Sequence, residues 1–105
     1  MAFYVIEYEY KPQFKFLVED VRPAHRTFLR ELEAQGNLLA SGFFRDSAFD
    51  GAMLIVKADT AEQALALLEN DPFATDDLVE NIRVRLWVPT LGPYAQDFDT
   101  AFPIS

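Results

Sequence analysis

Alternating or continuous apolar positions mark four segments of the chain, and these predict four β-strands. The first segment, residues 2–10, is rich in aromatic and β-branched residues and is apolar at its even positions. Comparable patterns predict strands over residues 37–44, 51–58 and 79–88. The segment 51–58 is apolar on both faces, which indicates a central strand covered on both sides.

The first predicted helix covers residues 22–35, and His25 lies in its opening turn. Proline is favoured at the first helical position, so Pro23 indicates the start, and Gly36 supplies the left-handed stop. His25 is the only histidine of the chain, and apolar residues follow it at i+3, i+4 and i+7. The single imidazole is therefore predicted to point toward the sheet and not into solvent.

The second predicted helix begins at a capping-box spacing, Thr60 to Gln63, and ends before Asp71-Pro72. The residue before a proline is pushed out of helical geometry, and Asp71 is then expected to cap a short turn of helix. In the second strand, Gly42 indicates a bulge or a close backbone approach.

The predicted order is β-α-β-β-α-β, the ferredoxin-like α+β arrangement. Both helices then cover one face of a four-stranded antiparallel sheet, with the first and last strands adjacent. The other face would carry Phe3, Val5 and Trp87. A face this apolar is unfavourable when it is exposed to water. We therefore predict a homodimer, or a higher homo-oligomer, that closes sheet on sheet. The domain is predicted to span residues 1–89, with a C-terminal tail, residues 90–105, that packs on the partner subunit.

Composition and charge narrow the possible functions of this 105-residue chain. Nine basic and 17 acidic residues give a net charge of −8, which disfavours nucleic acids and anionic membranes as partners. The absence of cysteine excludes disulfides, thiolate nucleophiles and cysteine metal sites, and a single histidine argues against zinc. Neither a signal peptide nor a membrane span is evident, so the expected location is cytoplasmic. No glycine-rich phosphate loop is present, so we expect no cofactor.

Two residues are candidates for proton chemistry. His25 carries the one side chain whose unperturbed charge change falls near neutral pH, although a histidine satisfied by a backbone carbonyl explains the same pattern. Asp71 is a preferred N-cap before Pro72, and capping leaves a second carboxylate oxygen for another partner.

Two further residues are candidates for substrate binding. Arg22 suits an anionic substrate group, or alternatively an ion pair with Glu19 or Asp20. Ser41 suits a pocket hydroxyl, and no hydrolase signature surrounds it that would make it a nucleophile.

An ordered set of motifs resembles the YciI-like family of the dimeric α+β barrel superfamily, which is related to muconolactone isomerase-like proteins. The resemblance covers residues 3–89 and departs from the family pattern at Phe43, where members usually have proline. It rests on the motifs Arg22-Pro23-Ala24-His25, Gly36-Asn37-Leu38-Leu39-Ala40-Ser41-Gly42, the strand Gly51–Ala58, and Asn70-Asp71-Pro72-Phe73.

The resemblance implies a small dimeric enzyme that uses a His25–Asp71 pair for proton transfer. Members with assigned roles include a dehydrochlorinase of a chlorinated hydroxyhydroquinone. By this likeness the chain is a cofactor-independent lyase or isomerase, without a metal, that acts on a small cyclic or aromatic oxygenated molecule. Arg22 and Ser41 would bind the substrate. The alternative is a non-catalytic module of the same fold that binds a small ligand or another enzyme.

Overall fold

A computed structural model describes residues 2–46 and 49–95 of the chain. The four strands lie within one residue of their predicted bounds: β1 is Ala2–Tyr10, β2 is Leu38–Phe43, β3 is Gly51–Ala58 and β4 is Val79–Trp87. The helices are α1 (Lys15–Ala34), α2 (Ala61–Leu67) and α3 (Pro72–Thr75), and a single 3₁₀ turn, Pro12–Phe14, precedes α1.

The strands form one antiparallel sheet in the order β2-β3-β1-β4. The first and last strands are adjacent, and β1 and β3 occupy the centre. This topology confirms the predicted ferredoxin-like α+β fold.

Helix α1 begins seven residues earlier than the sequence pattern suggested. It starts at Lys15 and not at Arg22, and Pro23 lies inside the helix. The inward-facing pattern continues toward the N-terminus through the buried Val18, seven residues before His25. His25 therefore lies in the middle of α1, remote from the helix N-terminus.

Pro23 is tolerated inside α1 because its own side chain is exposed and the buried residues of the helix hold it against the sheet. Pro23 has no N–H, so the i→i−4 hydrogen bond to the Glu19 carbonyl cannot form there. Packing of the amphipathic face decides most of the stability of a helix in a protein, and it outweighs the lost bond here. The prediction that Pro23 opens the helix was wrong for this reason.

The main core lies between the helices and one face of the sheet. The even positions of β1, namely Tyr4, Ile6, Tyr8 and Tyr10, are buried there. This cover ends before the outer edge of β4, where Ile82 and Leu86 remain about half exposed. The helices thus seal the centre of the sheet, which is where the candidate site lies.

Residues 88–95 run from the β4 edge of the sheet to the β2 edge. The chain leaves β4 beside Phe3, Pro89 is buried, and the Tyr94 hydroxyl donates to the Leu39 carbonyl at 3.3 Å, beside the other sheet edge. Phe3 and Ile55, on the sheet face opposite the helices, are buried, at 2% and 8% exposed.

The close backbone approach in the sheet occurs at Gly51 and not at Gly42. A Cβ atom at position 51 would lie 2.1 Å from the Tyr8 carbonyl oxygen, whereas one at position 42 would meet nothing within 4 Å. The irregularity of β2 lies instead between Leu38 and Ala40. Gly51 is therefore the glycine that the packing of β1 against β3 requires.

Within residues 2–46 and 49–95, no helix has the length and apolar composition needed to cross a membrane.

Candidate active site

A histidine and an aspartate form a buried pair between α1 and α3. The Nδ1 atom of His25 lies 2.8 Å from Oδ1 and 3.0 Å from Oδ2 of Asp71. His25 is 6% exposed and Asp71 is fully buried. Nδ1 therefore faces a carboxylate, and not the backbone carbonyl that a merely structural histidine was expected to use.

Local sequence explains the position of Asp71. Pro72 is the first residue of α3, and Asp71 caps this helix by accepting a hydrogen bond from the Phe73 N–H to Oδ1 at 3.0 Å. The predicted cap is thus present, and it fixes the carboxylate from the α3 side. The same oxygen, Oδ1, also receives His25.

A third donor reaches the carboxylate from the sheet. The Tyr8 hydroxyl, fully buried on β1, donates to Asp71 Oδ2 at 3.0 Å. Burial, followed by the negative charge of Asp71, raises the pKa of Tyr8, so this hydroxyl remains a protonated donor. Because two other groups donate to Asp71, an ionised carboxylate and a proton on His25 Nδ1 give the consistent network.

The imidazole ring is held by stacking as well as by hydrogen bonding. The Phe73 ring lies 4.0 Å from the His25 ring, centroid to centroid, with 14° between the planes. Phe73 is itself fully buried and meets Tyr10 edge to face at 5.2 Å. These contacts leave the imidazole little freedom to rotate away from Asp71.

The second ring nitrogen of His25, Nε2, is accessible, and His25 lines a cavity. Within the part of the chain that the structure describes, no buried side-chain nitrogen or oxygen lacks a partner. Nε2 has no hydrogen-bond partner among these residues, so it is not a fully buried atom and a bound molecule can reach it. The cavity has a volume of about 240 Å³. The cavity also contains Arg22, Ser41 and Tyr10. In the tautomer assigned above, Nε2 is a hydrogen-bond acceptor available to a bound molecule.

The structure brings all four predicted site residues together. His25 and Asp71 are in direct contact, and Arg22 and Ser41 lie beside His25 in the cavity wall. Arg22 forms an ion pair with Glu19, one of the two alternatives expected for it. Its guanidinium also lies 5.3 Å from the centroid of the Phe43 ring. Phe43, which departs from the family pattern, is therefore a wall of the cavity and a support for Arg22.

Two tyrosines of the site, Tyr8 and Tyr10, were not among the predicted site residues, because the even positions of β1 were described only as apolar. Tyr10 is buried in the wall of the 240 Å³ cavity. Burial raises the pKa of Tyr10 to about 12, although the neighbouring Arg22 guanidinium opposes the shift. A buried tyrosine hydroxyl usually finds a polar partner. The three tyrosines on the helix side of β1, Tyr4, Tyr8 and Tyr10, were therefore a signal for polar groups opposite this face.

A second cavity, of about 410 Å³, adjoins the first. The two share Tyr10, Arg22 and Phe43, and the second continues toward Lys15 and Arg45. Within residues 2–46 and 49–95, no group of three His, Cys, Asp or Glu side chains is placed to hold a metal ion.

A comparison with known protein families identifies the family of this chain. A family model described as the YCII-related domain matches residues 2–88. The chain belongs to this family. The match confirms the family resemblance predicted from the motifs of the sequence. No curated protein sequence matches the chain.

Solved structures show that this YCII-related protein shares its fold with known proteins. One is 5-chloro-2-hydroxyhydroquinone dehydrochlorinase (TftG) from Burkholderia phenoliruptrix AC1100, in complex with 2,5-dihydroxybenzoquinone. The match has a TM-score of 0.71 and 23% identity, and covers 81% of this chain and 92% of the dehydrochlorinase. Another is an antibiotic biosynthesis monooxygenase, with a TM-score of 0.53, 16% identity, and coverage of 85% and 98%. At these identities the likeness establishes the fold.

Proposed function

We propose that this YCII-related protein is a cofactor-independent lyase or isomerase that transfers a proton of a small cyclic or aromatic oxygenated molecule. One observation carries the proposal: a buried His25–Asp71 pair in which His25 lines a cavity and its Nε2 atom has no partner among the described residues. A positioned histidine is the commonest general base in enzymes, and a carboxylate on its other nitrogen stabilises the imidazolium that forms.

The proposed reaction begins with the removal of a proton by His25. Nε2 of His25 takes a proton from an O–H or C–H bond of the substrate, and the electron pair of that bond moves into the substrate. In an elimination that pair forms a new double bond, the electron pair of the bond to the departing group, such as chloride, leaves with that group, and the imidazolium then releases its proton to solvent. In an isomerisation His25 returns the proton at another atom. Asp71 keeps its charge throughout, and the imidazolium is transient.

The cavity walls indicate how the substrate would be held. Arg22 offers a guanidinium to an anionic or phenolic oxygen, and Ser41 offers a hydroxyl beside it. The cavity of about 240 Å³ that His25 lines has room for a molecule of a single ring, and the adjoining cavity of about 410 Å³ extends this space.

The structural neighbour supports the reaction class by analogy. A protein of the same fold is named a dehydrochlorinase and was solved with a dihydroxybenzoquinone, which is a small oxygenated ring. Loss of hydrogen chloride requires a proton to be removed, the step assigned here to His25. Because fold does not fix function, the analogy suggests the first compounds to test and not the substrate itself.

The experiment is turnover of 5-chloro-2-hydroxyhydroquinone, followed by chloride release, in the wild-type protein and in His25→Gln. We expect a loss of about 10³-fold in kcat, as is typical for removal of a general acid–base group. Glu31→Gln, an exposed change on the same helix, is the matched control and should retain full activity. Equal turnover by His25→Gln and the wild-type protein would disprove the proposed role.

The second candidate function is a non-catalytic ligand-binding or enzyme-partner module. It is favoured by the fact that Asp71 also caps α3, so the pair has a structural use without any reaction. Saturable binding of 2,5-dihydroxybenzoquinone, with no turnover of any chlorinated or lactone substrate tested, would support this candidate. Under the catalytic proposal His25→Gln loses turnover while binding changes little.

We also propose that the protein functions as a homodimer closed through the sheet face opposite the helices. On that face Met53 of β3 is exposed opposite Glu7, and Val5 of β1 and Trp87 of β4 are half-buried. Apolar side chains in such a group favour association. The packing of the C-terminal tail on a partner remains a prediction. Of that tail, residues 90–95 lie within the described part of the chain and Tyr94 contacts β2 of its own subunit, whereas residues 96–105 lie outside it.

A further inference from the structure

We propose that Tyr8 is a positioning residue of this site, and that its hydroxyl holds Asp71 so that His25 keeps its proton on Nδ1 and presents Nε2 as the base. Neither the family motifs nor the candidate residues of the sequence include Tyr8. The part of this inference that concerns catalysis rests on the proposed function. The part that concerns the tautomer of His25 does not.

The geometry of the carboxylate carries the inference. Asp71 accepts three hydrogen bonds, from the Phe73 N–H to Oδ1, from His25 Nδ1 and from the Tyr8 hydroxyl to Oδ2. The Phe73 and Tyr8 donors reach different oxygens, so they oppose rotation of the carboxylate about its own axis. Nδ1 lies within 3.0 Å of both oxygens and therefore depends on the carboxylate staying in this orientation.

Tyr8 is suited to this task because it cannot readily be replaced by water. Its side chain is fully buried, on the same strand face as Ile6 and Tyr10. The backbone of Tyr8 is itself fixed, since β3 approaches it so closely that only glycine fits at position 51. The hydroxyl is therefore delivered to Asp71 by the rigid centre of the sheet, whereas His25 and Asp71 come from helices.

The expected consequence is a single imidazole tautomer. With two fixed donors on Asp71, the carboxylate is an acceptor toward Nδ1 and favours the Nδ1–H form. Without the Tyr8 hydroxyl, the imidazole is the donor to the buried Oδ2 atom that remains among the described residues. The carboxylate is then free to turn, and the preference for one tautomer weakens. Nε2 would act as a base in only part of the molecules.

The test uses the fact that His25 is the only histidine. In ¹⁵N-labelled wild-type protein, the two ring nitrogens of neutral His25 should give widely separated signals, the mark of a single tautomer. Tyr8→Phe, which removes one oxygen atom, should bring the two signals toward each other. Tyr4→Phe is the matched control: Tyr4 is also buried on the helix side of β1, and no hydrogen bond joins it to Asp71. It should leave the signals unchanged.

Two further measurements protect the inference against a variant that folds poorly. In the wild-type protein, the Tyr8 hydroxyl proton should exchange slowly and give a downfield signal that disappears in Asp71→Asn. In the Asp71→Asn background, Tyr8→Phe should have no further effect on the His25 signals, because Tyr8 acts through Asp71.

The kinetic outcome separates this inference from the proposed function. If the protein turns over a substrate, Tyr8→Phe should lower kcat by about tenfold with KM within about twofold, the scale of one hydrogen bond to a charged group. If His25→Gln keeps full activity, the proposed function is wrong. The tautomer of His25 is still decided separately, by its ring nitrogen signals. Unchanged ring nitrogen signals in folded Tyr8→Phe, or no protected hydroxyl proton in the wild-type protein, would overturn the role of Tyr8.

Discussion

The two faces of strand β1 differ in how completely they are covered. The face of even-numbered residues lies under the helices and is the sealed face, whereas the face of odd-numbered residues is partly exposed and is the open face. On the even face, Tyr4, Ile6, Tyr8 and Tyr10 are buried beneath the helices of the same chain, and the Tyr8 hydroxyl has a partner in Asp71. On the odd face, Phe3 is buried, but Val5, Glu7 and Glu9 are only half-buried. One face of β1 thus lies in a closed hydrophobic core, whereas the other face is partly exposed to solvent.

This difference shows where the chain concentrates polar groups that cannot reach water. The even face contains a buried carboxylate, and its cost is offset only because three donors surround it. On the odd face the charged residues keep contact with solvent, and Glu9 accepts a hydrogen bond from Asn81. The stability of the sealed face therefore depends on a hydrogen-bond partner for every buried polar group. The stability of the open face depends on the surface that covers its apolar side chains.

The largest effect should come from breaking the sealed face at Asp71. Asp71→Ala removes the α3 cap and leaves the Tyr8 hydroxyl and the Phe73 N–H buried without a partner. We expect the free energy of unfolding to fall by about 3 kcal/mol, measured by urea denaturation. Asp71→Asn keeps a capping oxygen and should lose about half as much. A loss below about 1 kcal/mol in Asp71→Ala would show that the pair contributes little to the fold.

Alkaline pH should weaken the same face by a smaller amount. The unfolded chain releases the Tyr10 proton near pH 10, while the folded chain holds it to about 12, so stability is full below pH 10 and falls as pH rises through this window. For Tyr10 the loss is about 2.5 kcal/mol. Tyr8 acts in the same direction. Denaturation curves from pH 9 to 12 should show a shallower decline in Tyr10→Phe, and an equal decline would contradict the assigned shift.

The smallest effect on the subunit should come from the open face. Met53→Lys places a charge on an exposed position of β3, so the free energy of unfolding of the isolated subunit should change by no more than about 0.5 kcal/mol. Sedimentation should nevertheless show a dimer for the wild-type protein and a monomer for the variant. The exposed change Glu62→Gln on α2 is the control and should leave the dimer intact. A monomeric wild-type protein would rule out the proposed assembly.

Most of the fold could be predicted from the sequence because its signals are local. The strand patterns, the cap at Thr60 and the turn at Asp71-Pro72 each depend on a few adjacent residues. The start of α1 depended instead on a competition between Pro23 and the inward packing of Val18, which only the assembled core decides. A proline inside a helix pattern usually marks its start, and here that rule failed.

The candidate site was predictable to the same extent. His25 and Asp71 stood out by residue type and motif, and their contact across 46 positions matches the family expectation. Tyr8 was not distinguished, because a buried strand tyrosine looks the same in sequence whether its hydroxyl meets a backbone carbonyl or a buried carboxylate. The role of Phe43 beneath Arg22 likewise depends on a long-range contact between α1 and β2.

The double use of Asp71 Oδ1, which accepts from both Phe73 and His25, has an evolutionary consequence. A helix cap tolerates asparagine or serine, whereas an anionic partner for an imidazole does not. Selection for the fold alone would therefore let this position drift among capping residues, and selection for the proton transfer would hold it as aspartate. Relatives that share the fold could be sorted at this one position: those with asparagine or serine have kept the helix and given up the charge.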